Sequence, residues 1–98
     1  EVEQAPAEDE VLSAVERAAL EQESRRFADL LGYVVDWTAV SRLDDVALVN
    51  GIAQIAPFDP AAKQTLLEAD SLSDRSERII QLMQIIGRIE RDGGATLQ

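Results

Sequence analysis

Cysteine and histidine are both missing from this 98-residue chain. Without Cys there is no disulfide framework and no thiolate metal site, and a cytoplasmic setting is the simpler expectation. Without either residue, no Ser-His or Cys-His nucleophile pair can form. Basic residues are scarce: nine Lys and Arg stand against 19 Asp and Glu, a net charge of -10. That sign repels phosphate backbones and anionic bilayers, so neither nucleic acid nor a membrane surface is an expected partner. Uninterrupted apolar runs reach only a few residues, too short to span a bilayer. No signal peptide is evident, because the first ten residues hold five acids and no base. An initiating Met is also lacking, and the expectation is a piece cut from a longer protein.

Other chemistry is absent too. The phosphate-cradling pattern G-x-x-x-x-G-K-[ST] does not occur, and no Asp/Asn ligands alternate around a Gly as a calcium loop requires. Lys63 is the single lysine. A Ser–Lys dyad is arithmetically open to it, but a lysine early in an amphipathic helix normally packs its stem and solvates its head. The acidic pairs Asp44-Asp45 and Asp59 with Glu68 fall at helix N-termini, where capping accounts for them. No catalytic, cofactor-binding or metal-binding residue is therefore assigned, no cofactor is expected, the chain is not expected to be an enzyme, and the residues of any binding site stay unknown. Aromatics number four, Phe27, Tyr33, Trp37 and Phe58. Phe27, Trp37 and Phe58 are expected in the core, and Tyr33 is left open.

What remains is helical. Hydrophobic residues make up 46% of the chain, enough for one compact domain and not for disorder. Residues 1–8 read as an acidic linker, with Pro6 opposing a helix. Residues 9–92 read as an all-α domain, a small bundle of four main helices at 9–31, 45–56, 60–69 and 72–91, with a short helical turn near 37–41. Residues 93–98 read as a flexible tail, because Gly93 and Gly94 end the last helix.

Caps and breakers carry these boundaries. Asp9 or Glu10 suits a positive helix N-terminus, and Gly32 suits a left-handed helix end. Asp36 and Asp44 are candidate N-caps, and Asp59 followed by Pro60 is a strong start signal. Ser71 with Asp74 approximates a capping box. In the first helix, Leu12, Val15 and Ala19 fall on one face and Leu20, Phe27 and Leu31 on another, so its two halves are expected to meet different neighbours. Helix 45–56 is apolar nearly all round and is expected to be central. Gly51 in its middle costs about 1 kcal/mol relative to Ala, which suggests a close helix–helix approach. In helix 60–69, Ala62, Leu66 and Leu67 are expected to face inward. The last helix has an apolar set (Leu72, Ile79, Ile80, Leu82, Met83, Ile85, Ile86, Ile89) wider than one neighbour needs, so it meets two helices or something outside this chain.

Between 36 and 82 the pattern becomes specific. D-W-x-A-V (36–40) precedes L-V-N-x-I-A (48–53). P-F-D-P-A-x-K-Q-x-L-L-E-A (57–69) and S-D-R-S-E-R-I-I-x-L (73–82) follow. This resembles the helical C-terminal half of the Lon N-terminal-domain-like family, bacterial proteins similar to the substrate-binding domain of an ATP-dependent protease. The resemblance covers about half the chain well, and helix 9–31 loosely. It implies a β-rich lobe ahead of this helical lobe, and a protein partner such as an unfolded client or a protease system, with no proteolysis of its own. The expected function is a non-catalytic protein-interaction module; the alternative is a structural bundle that forms a homodimer.

Overall fold

The structure, a computed structural model, describes residues 11–96. The expected acidic linker, the start signal at Asp9 or Glu10, and the last two residues lie outside that range. Five helices follow one another: α1 (Ala14–Leu31), α2 (Trp37–Ser41), α3 (Asp45–Ile55), α4 (Pro60–Leu67) and α5 (Leu72–Thr96). No strand occurs among the described residues, and the all-α class read from the sequence holds.

Each start has a local cause. The first helix begins at Ala14 and not at residue 9, because Ser13 forms the better cap. The Ser13 hydroxyl accepts the Glu16 N–H at 3.0 Å, and the Glu16 carboxylate accepts the Ser13 N–H at 2.8 Å. That reciprocal box satisfies two otherwise orphaned donors. Gly32 ends α1 at φ 80°, a left-handed conformation that a Cβ disfavours. Asp36, Asp44 and Asp59 each accept the N–H three residues on, from Ala39, Ala47 and Ala62. Ser71 accepts from Asp74 N–H. Gly93 and Gly94 do not stop α5, which continues to Thr96. A glycine ends a helix by turning left-handed; in helical φ/ψ it only weakens one.

The layout differs from the expected one in what sits at the centre. That role falls to α5, against which α1, α3 and α4 all pack. Its buried line runs through Leu72, Ile79 and Met83 and meets Leu20 and Phe27 of α1, Leu48 and Val49 of α3, and Leu66 of α4. Only Leu48 and Val49 of α3 are buried; Ile55 is 81% exposed. An all-round apolar helix on a bundle this small finds too few neighbours to cover it. In α4, Leu66 is buried but Leu67 is 71% exposed, since residues 100° apart cannot both face one neighbour. Along α1, Val15 and Ala19 are exposed and Leu12 lies before the helix, so a single stripe (Leu20, Ser24, Phe27, Ala28) faces the core. Phe27 and Phe58 are buried together, ring centroids 6.1 Å apart.

Polar contacts tie the helix ends. Arg17 reaches Glu21 and Asp45, each at 2.8 Å, and its remaining nitrogen points to the Val40 and Ser41 carbonyls. Asp45 also accepts the Leu12 N–H at 2.8 Å. That amide first, and Arg17 second, hold the Asp45 carboxyl below its ordinary pKa. Asp45 and then Glu21 raise that of Arg17. Glu16 accepts the Ser73 hydroxyl, the main reason its own pKa is lowered. At the opposite ends, Lys63 donates to Gln54 O, Arg75 to Leu66 O and Arg78 to Thr65 O. These cations meet the negative carbonyl ends of α3 and α4.

Ile79 is fully buried where the helices meet. Ile79→Ala should lower unfolding free energy by about 3 kcal/mol in urea denaturation. Asp45→Asn gives a pH test. A depressed carboxylate pKa stabilises the fold above the unfolded-state value of about 3.9, and that contribution fades as pH falls through the lower folded value. Wild type should therefore exceed Asp45→Asn in stability at neutral pH, and the gap should close on acidification below about 4.

Candidate functional site

The link between α1 and α2 decides the surface of this molecule. Gly32 turns the chain sharply, and Tyr33-Val34-Val35 runs extended to the Asp36 cap. The helix it leads into has only five residues and buries none of them. α2 packs only the half-buried Val40 against the core, and an apolar cleft of about 240 Å³ lies between the link, α2 and α3. Leu48, Ala56 and Met83 form its buried floor. Val35, Trp37, Val40 and Ile52 make half-buried walls. Tyr33, Leu43 and Ile55 stand exposed at its rim, and the neighbouring Val34 is completely exposed.

Trp37 belongs to this cleft and not to the core. Its ring is half-buried, with the Arg25 guanidinium carbon 5.2 Å from its centroid. That cation–π contact pins the start of α2 against α1. It also explains the departure from expectation: at the first position of a one-turn helix, the indole reaches a neighbouring charge more readily than the bundle interior.

Gly51 lines the same cleft, and the space over it is open. A Cβ built there meets nothing within 4 Å. The close helix approach expected at Gly51 is found at Gly87 instead, where a Cβ would lie 3.5 Å from Leu30 Cδ2 across the α1–α5 contact. The helix-weakening glycine of α3 therefore has no packing partner among the described residues. Its effect is to keep the backbone of α3 bare at the cleft wall.

A larger concavity, about 620 Å³, lies between α1 and α5. Glu23, Asp29, Arg26, Arg88 and Arg91 line it. Glu23 is buried there and paired with Arg26 at 3.3 Å, while Arg26, Asp29, Arg88 and Arg91 are exposed and solvated, so covering this largely charged groove returns little free energy. The smaller cleft is almost wholly apolar, and covering it removes apolar surface from water at about 25 cal/mol per Å².

The candidates of reactive type are occupied structurally. Lys63 caps α3 through Gln54 O at 3.0 Å. Asp44 and Asp59 cap helices, and Asp45 holds Arg17. Glu68 lies at the C-terminal end of α4 and not at an N-terminus as expected, and there it accepts Gln64 at 3.4 Å. Among the described residues, no three His, Cys, Asp or Glu side chains converge where a metal ion could sit. No described helix is long and apolar enough to cross a membrane. The three groups with shifted pKa, Glu16, Arg17 and Asp45, belong to the helix-end clasp, and none of them lines the cleft.

Sequence reasoning missed Ser24, which the cleft includes. It stands in the polar run Gln22 to Arg26. The signal was its spacing: Leu20, Ser24, Phe27 and Leu31 share one helical face. Comparison with known proteins finds no matching family model, no matching curated protein and no matching solved structure.

With nothing for an added methyl to strike, Gly51→Ala should raise stability by about 0.5–1 kcal/mol. Thermal unfolding followed by circular dichroism would register this as a rise in Tm of about 2–8 °C.

Proposed function

We propose that this chain is a non-catalytic protein-interaction module that takes exposed apolar segments of other proteins into the cleft between the 32–36 link, α2 and α3. In this reading it is the helical lobe of a substrate-binding domain of the Lon N-terminal-domain-like kind, working in the cytoplasm on unfolded or partly unfolded clients. The observation that carries the reading is Gly51. A mid-helix glycine with open space above it weakens the fold, and a Cβ at its position would meet nothing within 4 Å. It makes sense where something else approaches the backbone.

Further features support it. Tyr33, Val34, Leu43 and Ile55 are exposed apolar residues in one region, and a clustered apolar surface is the mark of an interaction site. Trp37 and Tyr33 are of the residue types that most often anchor interfaces. The pattern at 36–82 that resembles the Lon-type family spans α2, α3, α4 and most of the buried line of α5. Several residues quoted for that pattern serve the fold directly. Asp59 and Pro60 start α4, and Arg75 holds its last carbonyls. They support the architecture of the reading and supply no binding residues.

The alternative, a structural bundle that dimerises, draws on a different surface. Ile85 and Ile89 of α5 are 50% and 61% exposed and lie outside the cleft. Light scattering across a concentration series separates the two, because a chain that stays monomeric leaves the dimer reading without support.

Trp37 is the only tryptophan, so its fluorescence reports on the cleft. Titration with a reduced, alkylated unfolded protein should give a saturable change in that signal. Leu43→Ser combined with Ile55→Gln should weaken binding by at least about tenfold, since each removed contact is worth on the order of 1 kcal/mol. Both side chains are solvent-exposed, so stability should stay within about 1 kcal/mol of wild type. No saturable change with any unfolded protein would end this reading.

A further inference from the structure

The cleft holds one polar side chain among its buried lining. Ser24 is only 6% exposed, and it lines the cleft together with Leu48 and Met83. Its hydroxyl points to Met83 Sδ at 3.9 Å, and among the described residues this is its only side-chain hydrogen bond. A thioether is a weak acceptor. A buried hydroxyl with so poor a partner is an unfavourable group to keep in an apolar floor. The rest of the enclosure is apolar.

Charge sets a second condition. The segment framing the cleft, residues 32–45, carries Asp36, Asp44 and Asp45 against Arg42. Asp45 is neutralised by Arg17 of α1, which leaves Asp36 and Asp44 as its unpaired acids among the described residues. Arg25, on the other side, is seated over the Trp37 ring. Across the whole chain the net charge is -10. An acidic segment is repelled on approach, and a basic one is drawn in.

We propose, resting on the docking reading above, that the occupant of this cleft is a tyrosine side chain carried on a basic segment of a partner protein, and that Ser24 is the residue that selects it. A tyrosine ring supplies apolar faces for Trp37, Val40 and Ile52. Its oxygen lies at the far tip of the ring, on the line of entry, where it meets the Ser24 hydroxyl. Phenylalanine and leucine fill the same walls but leave Ser24 with its sulfur. A tryptophan N–H leaves the flank of the ring and not its tip. A volume of about 240 Å³ admits one such side chain.

The test uses the full chain and short synthetic peptides of one design. Lysine-flanked peptides differ only in a central Tyr, Phe or Leu, and a fourth carries Tyr between glutamates. Trp37 emission is read with excitation outside the tyrosine band. The Lys-flanked Tyr peptide should bind about threefold to tenfold tighter than its Phe counterpart, the gain from one added hydrogen bond. Ser24→Ala should erase that gap while leaving the Phe peptide unchanged, with an unaltered circular dichroism spectrum as the check on folding. The Glu-flanked peptide should bind more weakly than the Lys-flanked one, with the difference shrinking in high salt. Equal binding of Tyr and Phe to the unmodified chain overturns the inference, whatever Ser24→Ala does. So does a gap that survives Ser24→Ala, or a Glu-flanked peptide that binds as tightly. If Phe and Leu bind and Tyr has no advantage, only the selection by Ser24 falls. If none of the peptides binds, the docking cleft falls with it.

Discussion

Burial of one side of α5 is the constraint on which everything else in this structure hangs. That helix is the one against which α1, α3 and α4 each pack most extensively. α1, α3 and α4 each give up a narrow apolar stripe to the same line of Leu72, Ile79 and Met83. Each fully buried aliphatic side chain contributes on the order of 2 kcal/mol, so the loss of any one of them removes a large fraction of the net stability of a chain this size. The polar contacts then act at the ends. Arg17, Lys63, Arg75 and Arg78 satisfy carbonyls and carboxylates that the helices leave open where they meet.

The cleft is a consequence of that arrangement. A helix held by α5 on one side has its opposite side free, and α3 is apolar on both. Among the described residues, α2 and the link before it lie over that side. With five residues, no buried side chain and its start pinned through Arg25 and Trp37, α2 covers the gap incompletely. The apolar surplus of α3, the open space over Gly51 and the poorly partnered hydroxyl of Ser24 therefore converge on one place. Separately, each is a minor defect in a small domain. Together they leave one apolar recess with an exposed rim.

The start signals were legible because capping is local chemistry. Asp36, Asp44, Asp59 and Ser71 act on an N–H three residues away, and nothing distant alters that geometry. Ser13 was passed over because a run of helix-forming residues surrounds it, although Ser13 and Glu16 are spaced as a capping box. The candidate site was barely legible. Tyr33 was left open, Trp37 was placed in the core, Gly51 was read as a close contact, and Ser24 drew no reading. All four positions depend on which neighbour lies opposite, and periodicity describes one helix at a time.

The sequence by itself determined the helix count, the N-terminal caps, the turn at Gly32, and the lack of the residue types needed for thiolate or histidine chemistry. These depend on side chains within a few positions of one another or on composition alone. Tertiary structure decided which helix is central, which part of each broad apolar face is covered, and that a cleft lies between α2 and α3. Those outcomes depend on how much neighbouring surface a small bundle can supply. The chain offers more apolar helix surface than its own helices can bury, and only the packed molecule reveals where the excess is left.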